Sequence, residues 1–102
     1  MQIPLKWLIV AGLAGAAAPA QADYDLVVKK NCLACHSPDK RKYGPNFTEI
    51  LAKYANDKTA AQKLVKKIRK GGTGVWGNDV MPPQPQVSEA EAKAIVKYLL
   101  SL

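Results

Sequence analysis

Two thiols and an imidazole stand within five consecutive residues, Cys32-Leu33-Ala34-Cys35-His36. Cys-x-x-Cys-His is the spacing by which a c-type haem is fixed to its chain. Each thiolate adds to one vinyl group of the porphyrin, and two intervening residues in a helical turn let both sulfurs approach from one side. His36 follows at once, so a ring nitrogen can become the proximal ligand to iron. Two rival chemistries share these residue types. A thioredoxin-like redox pair belongs in a βαβ pattern, which this chain lacks, and a closed structural zinc site needs a fourth donor.

A haem iron has a second axial position. His36 is the sole histidine, and Met81 is the sole methionine apart from the initiator. A lone methionine usually fills core space. Met81, however, lies in the Gly/Pro-rich segment Gly71-Gly72-Thr73-Gly74-Val75-Trp76-Gly77-Asn78-Asp79-Val80-Met81-Pro82-Pro83, and prolines that fix φ would hold its sulfur in place. A soft thioether from Met81 is therefore the candidate second ligand. The glycines of this segment do not read as a phosphate cradle, because neither a G-K-[ST] sequence nor a preceding strand accompanies them.

The elements that must position these residues read as helices. Asp23 is a candidate N-cap for a first helix that carries Leu26, Val27 and Lys30 into the cysteines. Ser37-Pro38-Asp39 and Tyr43-Gly44-Pro45-Asn46 are breaks, and Lys40-Arg41-Lys42 between them reads as a solvated surface run. Phe47, Ile50, Leu51 and Tyr54 form the apolar stripe of a second helix. Thr59 can cap a third, running through Arg69, with Leu64, Val65 and Ile68 inward and lysines outward; Gly71 ends it. Ser88-Glu89-Ala90-Glu91 is a capping box opening a last helix with Ala92, Ile95, Val96 and Leu99 on its apolar face. The expectation is an all-α domain of four short helices with no sheet, Gly71 to Val87 forming one long functional loop. Phe47, Tyr54, Ile68, Ile95 and Leu99 would be the apolar wall.

Residues 1–22 read as a secretory signal. Lys6 supplies the positive n-region, Trp7 to Ala18 is an apolar run of twelve residues, and Ala20-Gln21-Ala22 is the cleavage site. A membrane span needs about 17 to 25 apolar residues, so the run is too short for one. Cleavage removes 22 of 102 residues and leaves one domain, residues 23–102. So small a domain buries only about 60% of its unfolded surface and needs a staple; the haem would be that staple. The full chain carries 15 basic and 8 acidic side chains. Such a balance attracts acidic partners, and with no nucleic-acid-binding signature the charge reads as a docking feature.

Cys32-x-x-Cys35-His36, Gly44-Pro45, Gly74-Val75-Trp76-Gly77 and Met81-Pro82-Pro83 together resemble the small monohaem class I cytochromes c, in particular the bacterial cytochrome c-551 group. The resemblance spans residues 23–102 and implies the class I cytochrome c fold, one covalent haem c held through Cys32 and Cys35, and axial ligation by His36 and Met81. It further implies that Pro45 offers its carbonyl to His36, that Trp76 donates its indole N–H to a haem propionate, and that Lys67 lies near the same propionate, where an arginine is often found. Pro45 also reads as a plain turn residue and Trp76 as apolar cover on the haem edge. Val80 stands where a proline often precedes the methionine, and Gln84 where an asparagine often bonds its sulfur; both bear on tuning of the potential.

With both axial positions filled there is no open site for substrate, so the function implied is not enzymatic. It is a periplasmic one-electron shuttle between a membrane quinol-oxidising complex and a terminal oxidase or nitrite reductase. Its redox partners would be acidic at the docking face and transiently bound, burying less than about 1,200 Å², and the carrier would be monomeric, with no nucleic acid bound and no membrane insertion. Two alternatives are a haem peroxidase or sensor with an open sixth site, and a fixed haem subunit of a larger oxidoreductase. The free carrier is favoured because the chain ends at Leu102 without a linker.

Overall fold

The computed structural model describes residues 18–102. The expected leader lies outside the described residues except for 18–22, whose backbone opens the first helix, α1 (Ala18–Lys29). Asp23 is therefore inside α1 rather than at its N-cap. The alanine-rich stretch before it has high helix propensity, and Pro19 falls in the first turn, where a missing N–H costs nothing. Among the described residues no helix is long and apolar enough to cross a membrane.

Asn31 stops α1. It sits at φ 67° and is the only non-glycine residue with positive φ among the described residues, a conformation asparagine tolerates better than most side chains. The chain turns there into a short 3₁₀ segment, Cys32–Ala34. Helix α2 (Phe47–Tyr54) opens on a capping box in which Asn46 Oδ1 accepts from Glu49 N–H and Glu49 Oε1 accepts from Asn46 N–H. Helix α3 spans Ala60–Lys70. Thr59 precedes it, but its hydroxyl donates to Asp57 Oδ1 instead of capping the helix; the same oxygen accepts from Thr59 N–H, and Asp57 Oδ2 takes Lys63 Nζ at 2.7 Å. Helix α4 (Glu89–Leu100) begins with the Ser88/Glu91 capping box.

Between α3 and α4 lies a hairpin, not a structureless loop. Strands β1 (Gly72–Gly74) and β2 (Gly77–Met81) run antiparallel, with Gly72 opposite Met81, Gly74 opposite Gly77 and an irregularity between. Apart from Gly72 and Met81, their residues are exposed. No apolar alternation marks them, because Met81 alone of their side chains packs on the core.

Helix α4 is the spine against which α1, α2 and α3 all pack. The core joins Val27 of α1, Phe47 and Ile50 of α2, Leu64 and Ile68 of α3, and Ala92, Ile95, Val96 and Leu99 of α4. Val87, in the turn before α4, completes it at 1% exposure. At the seam of α1 and α4, Tyr24 and Tyr98 stand 6.0 Å apart, and Lys30 Nζ reaches Glu91 at 3.2 Å and the Gln86 carbonyl at 3.0 Å.

Candidate functional site

Against this core opens a cavity of about 1230 Å³, its mouth included, floored by Phe47, Ile50, Leu64, Ile68, Ile95 and Leu99. Every residue singled out above for chemistry lies on it: Cys32, Cys35, His36, Pro45, Lys67, Trp76 and Met81. The functional side chains come from three separate stretches of chain, and different forces hold each.

The first stretch is the turn after Asn31. Cys35 N–H and His36 N–H both donate to Cys32 O, at 3.3 and 3.0 Å, so the two cysteines are presented from one tight turn. Burial pushes the Cys32 thiol above its ordinary range, a backbone hydrogen bond pulling the other way to a lesser degree. An environment that disfavours the thiolate suits a thioether, which carries no charge.

The second stretch, Ser37 to Asn46, fixes the imidazole. His36 Nδ1 lies 2.7 Å from Pro45 O. A carbonyl oxygen can only accept, so Nδ1 carries the proton and Nε2 is left with the free lone pair, the arrangement a metal-ligating histidine needs. Gly44 packs against the same ring: a Cβ there would stand 2.7 Å from His36 Cε1 and 2.9 Å from Nδ1. Gly44 N–H donates to Cys35 O at 2.8 Å, and Phe47 N–H donates to Ser37 O at 2.9 Å. Phe47 stacks near the imidazole with ring centres 6.1 Å apart. Glu49 serves twice, in the capping box and in an ion pair with Arg41 at 3.3 Å. Arg41 and Tyr43, read from sequence as loop surface and as a break, line the cavity. The signal for the local framework was present as Asn46-x-x-Glu49, a helix start of capping-box type.

The third stretch brings Met81, half-buried and packed on the core. Gly71 makes its position possible. It turns the chain at φ 69°, and a Cβ there would meet the backbone of Met81, Pro82 and Pro83. Gln84 N–H donates to Ile68 O at 3.0 Å, securing the far end of the segment to α3. The Gln84 amide donates to Pro82 O and accepts from Gln86, so its side chain braces the chain beyond Met81. Trp76 at the hairpin turn lies under Lys53 Nζ, 5.3 Å from the ring centre, a cation–π contact that draws it toward α2. Lys67 reaches from α3 to Gly72, where an added Cβ would stand 2.6 Å from its Nζ.

These features suit a haem. The cavity is walled by apolar side chains, thiols stand on its wall, and an imidazole nitrogen and a thioether are its soft neutral donors. Lys67 and Arg41 on the same walls offer cations for propionate carboxylates. The class that fold and site define is a small c-type cytochrome.

Comparison with known proteins gives the same class. The family model for cytochrome c matches residues 24–102. Cytochrome c-552 of Nitrosomonas europaea is 46% identical over 95 residues, 93% of this chain and 86% of the relative. Cytochrome c-551 of Stutzerimonas stutzeri is 44% identical over 102 residues, covering 99% of this chain and 97% of that one. Among solved structures, the crystal structure of wild-type Nitrosomonas europaea cytochrome c552 superposes with a TM-score of 0.74, covering 78% of this chain and 98% of that one at 46% identity. The chain belongs to the cytochrome c family and has the class I cytochrome c fold. It carries one covalent haem c and is an electron-transfer protein, not an enzyme.

Proposed function

We propose that this protein is a soluble periplasmic one-electron carrier whose iron is held by His36 and Met81. The observation that carries the reading is the His36–Pro45 hydrogen bond, which leaves Nε2 as the free ring nitrogen, in a cavity that Met81 also lines. Bound haem supplies one-electron exchange between ferric and ferrous iron. Cys32 and Cys35 would anchor it by thioether bonds. Pro45 keeps His36 in one tautomer and raises its basicity through the Nδ1 hydrogen bond. A soft thioether from Met81 favours the ferrous state and lifts the potential. The apolar floor excludes water, Trp76 covers an edge of the cavity, and Lys67 would receive a propionate.

Residues 1–22 direct export and are removed after Ala22, which leaves 23–102 as the working domain. With His36 and Met81 as the residues that would hold the iron, bound haem would leave no open site for substrate and would exchange electrons with partners that dock briefly. The basic balance of the chain favours acidic docking faces and fast encounter. The route suggested by the resemblance runs from a membrane quinol-oxidising complex to a terminal oxidase or nitrite reductase, with the carrier as a monomer. Anaerobic potentiometric titration of the purified holoprotein tests the reading: a single reversible one-electron step is expected, with a ferrous form inert to carbon monoxide. Prompt carbon monoxide binding would mean an open sixth position and would overturn it.

A further inference from the structure

Tyr43 precedes Gly44 and Pro45 on the segment that grips His36, and Val80 precedes Met81 on β2. The two meet: Tyr43 Oη accepts a hydrogen bond from Val80 N–H at 3.2 Å, across 37 residues of sequence. Both side chains line the cavity, yet they are 52% and 51% exposed, so burial does little to hold them together. The bond does. A two-stranded hairpin leaves the backbone groups on its outer edges without a strand partner, and the Val80 N–H finds the tyrosine hydroxyl instead.

The two ends of this bond differ in rigidity. Tyr43 is anchored through its neighbour, because Gly44 N–H is bound to Cys35 O at 2.8 Å and no side chain could fit between Gly44 and the imidazole. The hairpin is largely exposed, and two strands alone are marginal in water. We propose that Tyr43 is a positioning residue, whose hydroxyl latches β2 to the His36-side segment and so holds Met81 seated in the cavity. This rests on the reading of Met81 as the second ligand.

The latch biases an equilibrium between seated and displaced Met81. An external ligand gains the iron only in the displaced state, so its apparent affinity scales with that state's population. Tyr43→Phe keeps the ring and removes the acceptor. Loss of one neutral hydrogen bond changes such an equilibrium by about two- to tenfold, and the apparent affinity of the ferric holoprotein for imidazole should rise by that factor. Val80→Pro removes the donor, at a strand edge where proline is tolerated. In that background Tyr43→Phe should change imidazole affinity no further, since the bond is already gone.

Imidazole titrations of the parent, Tyr43→Phe, Val80→Pro and the double variant, followed by the weak long-wavelength absorption band of thioether-bound ferric haem, decide the matter. An unchanged imidazole affinity in Tyr43→Phe would overturn the latch, as would an effect of equal size in the Val80→Pro background. The Tyr43→Phe arm stands alone if Val80→Pro fails to accumulate. A parent lacking the band would overturn the Met81 reading and the latch with it, and is told apart from failure of the latch alone, in which the parent shows the band.

Discussion

The His36 side and the Met81 side of the cavity are built on opposite plans. The imidazole is gripped by a carbonyl at 2.7 Å, by a glycine with no room for a methyl group, and by a buried aromatic ring from α2. Those contacts are backed by the Asn46/Glu49 capping box and the Arg41–Glu49 pair. Met81 hangs from a hairpin that is mostly in solvent, tied at its root by Gly71 and Gln84 and across the cavity by Tyr43. A ligand on a packed wall keeps one geometry, whereas a ligand on a thin ribbon can leave when the ribbon moves. If Met81 holds the iron as proposed, exchange of ligands should take place on the Met81 side.

Glycine substitutions should separate the sides most clearly. Gly71→Ala combines a strained positive φ with a collision against the backbone of Met81 to Pro83 and should cost about 3 kcal/mol. It should also weaken the long-wavelength thioether band. Gly44→Ala drives a methyl against His36 and should cost about 2 kcal/mol while leaving that band in place. By loosening the Nδ1 hydrogen bond it should make the imidazole a poorer donor to ferric iron and raise the midpoint potential. Denaturant midpoints and spectra of the two holoproteins check this pair; identical spectral signatures would erase the proposed division.

Helix caps make a finer comparison. Asn46→Ala and Ser88→Ala each delete the side-chain half of a capping box, and each should cost about 1 kcal/mol in denaturant unfolding. Only Asn46 adjoins Pro45, so only its loss should shift the potential.

The smallest effect lies away from the cavity. Hydrogen bonds from Lys63 and Thr59 hold the Asp57 carboxyl down at about 2, from an ordinary 3.8. A depressed carboxylate pKa means that its contribution is complete above the ordinary value and is lost as pH falls toward 2. Asp57→Asn should flatten this part of the acid limb of a melting-temperature profile between about pH 4 and pH 2, with no change in the haem spectrum. A spectral change in that variant would show that the entry to α3 is coupled to the site.

Much of this was legible in the sequence. Apolar periodicity gave α2, α3 and α4, because each buries one stripe against a common core. The motif at Cys32 to His36 and the lone Met81 pointed to the residues that line the cavity. The hairpin was not legible, since most of its residues are exposed and its glycines fitted the one long functional loop expected from Gly71 to Val87. Asp23 resembled a cap because the alanines before it read as part of the leader, whereas their helix propensity lets α1 begin at Ala18. Thr59 does stand at the N-cap position of α3, but its hydroxyl goes to Asp57 and makes no capping bond. Tyr43 could not be linked to Val80 without the fold, because a hydrogen bond across 37 residues has no local signature.

The central claim is that Met81 completes the iron's ligand set, and the midpoint potential of Met81→Ala beside the parent tests it most directly. Loss of the thioether leaves His36 as the one ligating side chain of its kind, and water or a lysine would take the vacant position. Harder ligands favour ferric iron, so the potential should fall by at least about 100 mV, more than tenfold in the electron-transfer equilibrium at 59 mV per decade. A Met81→Ala potential equal to that of the parent would contradict the account.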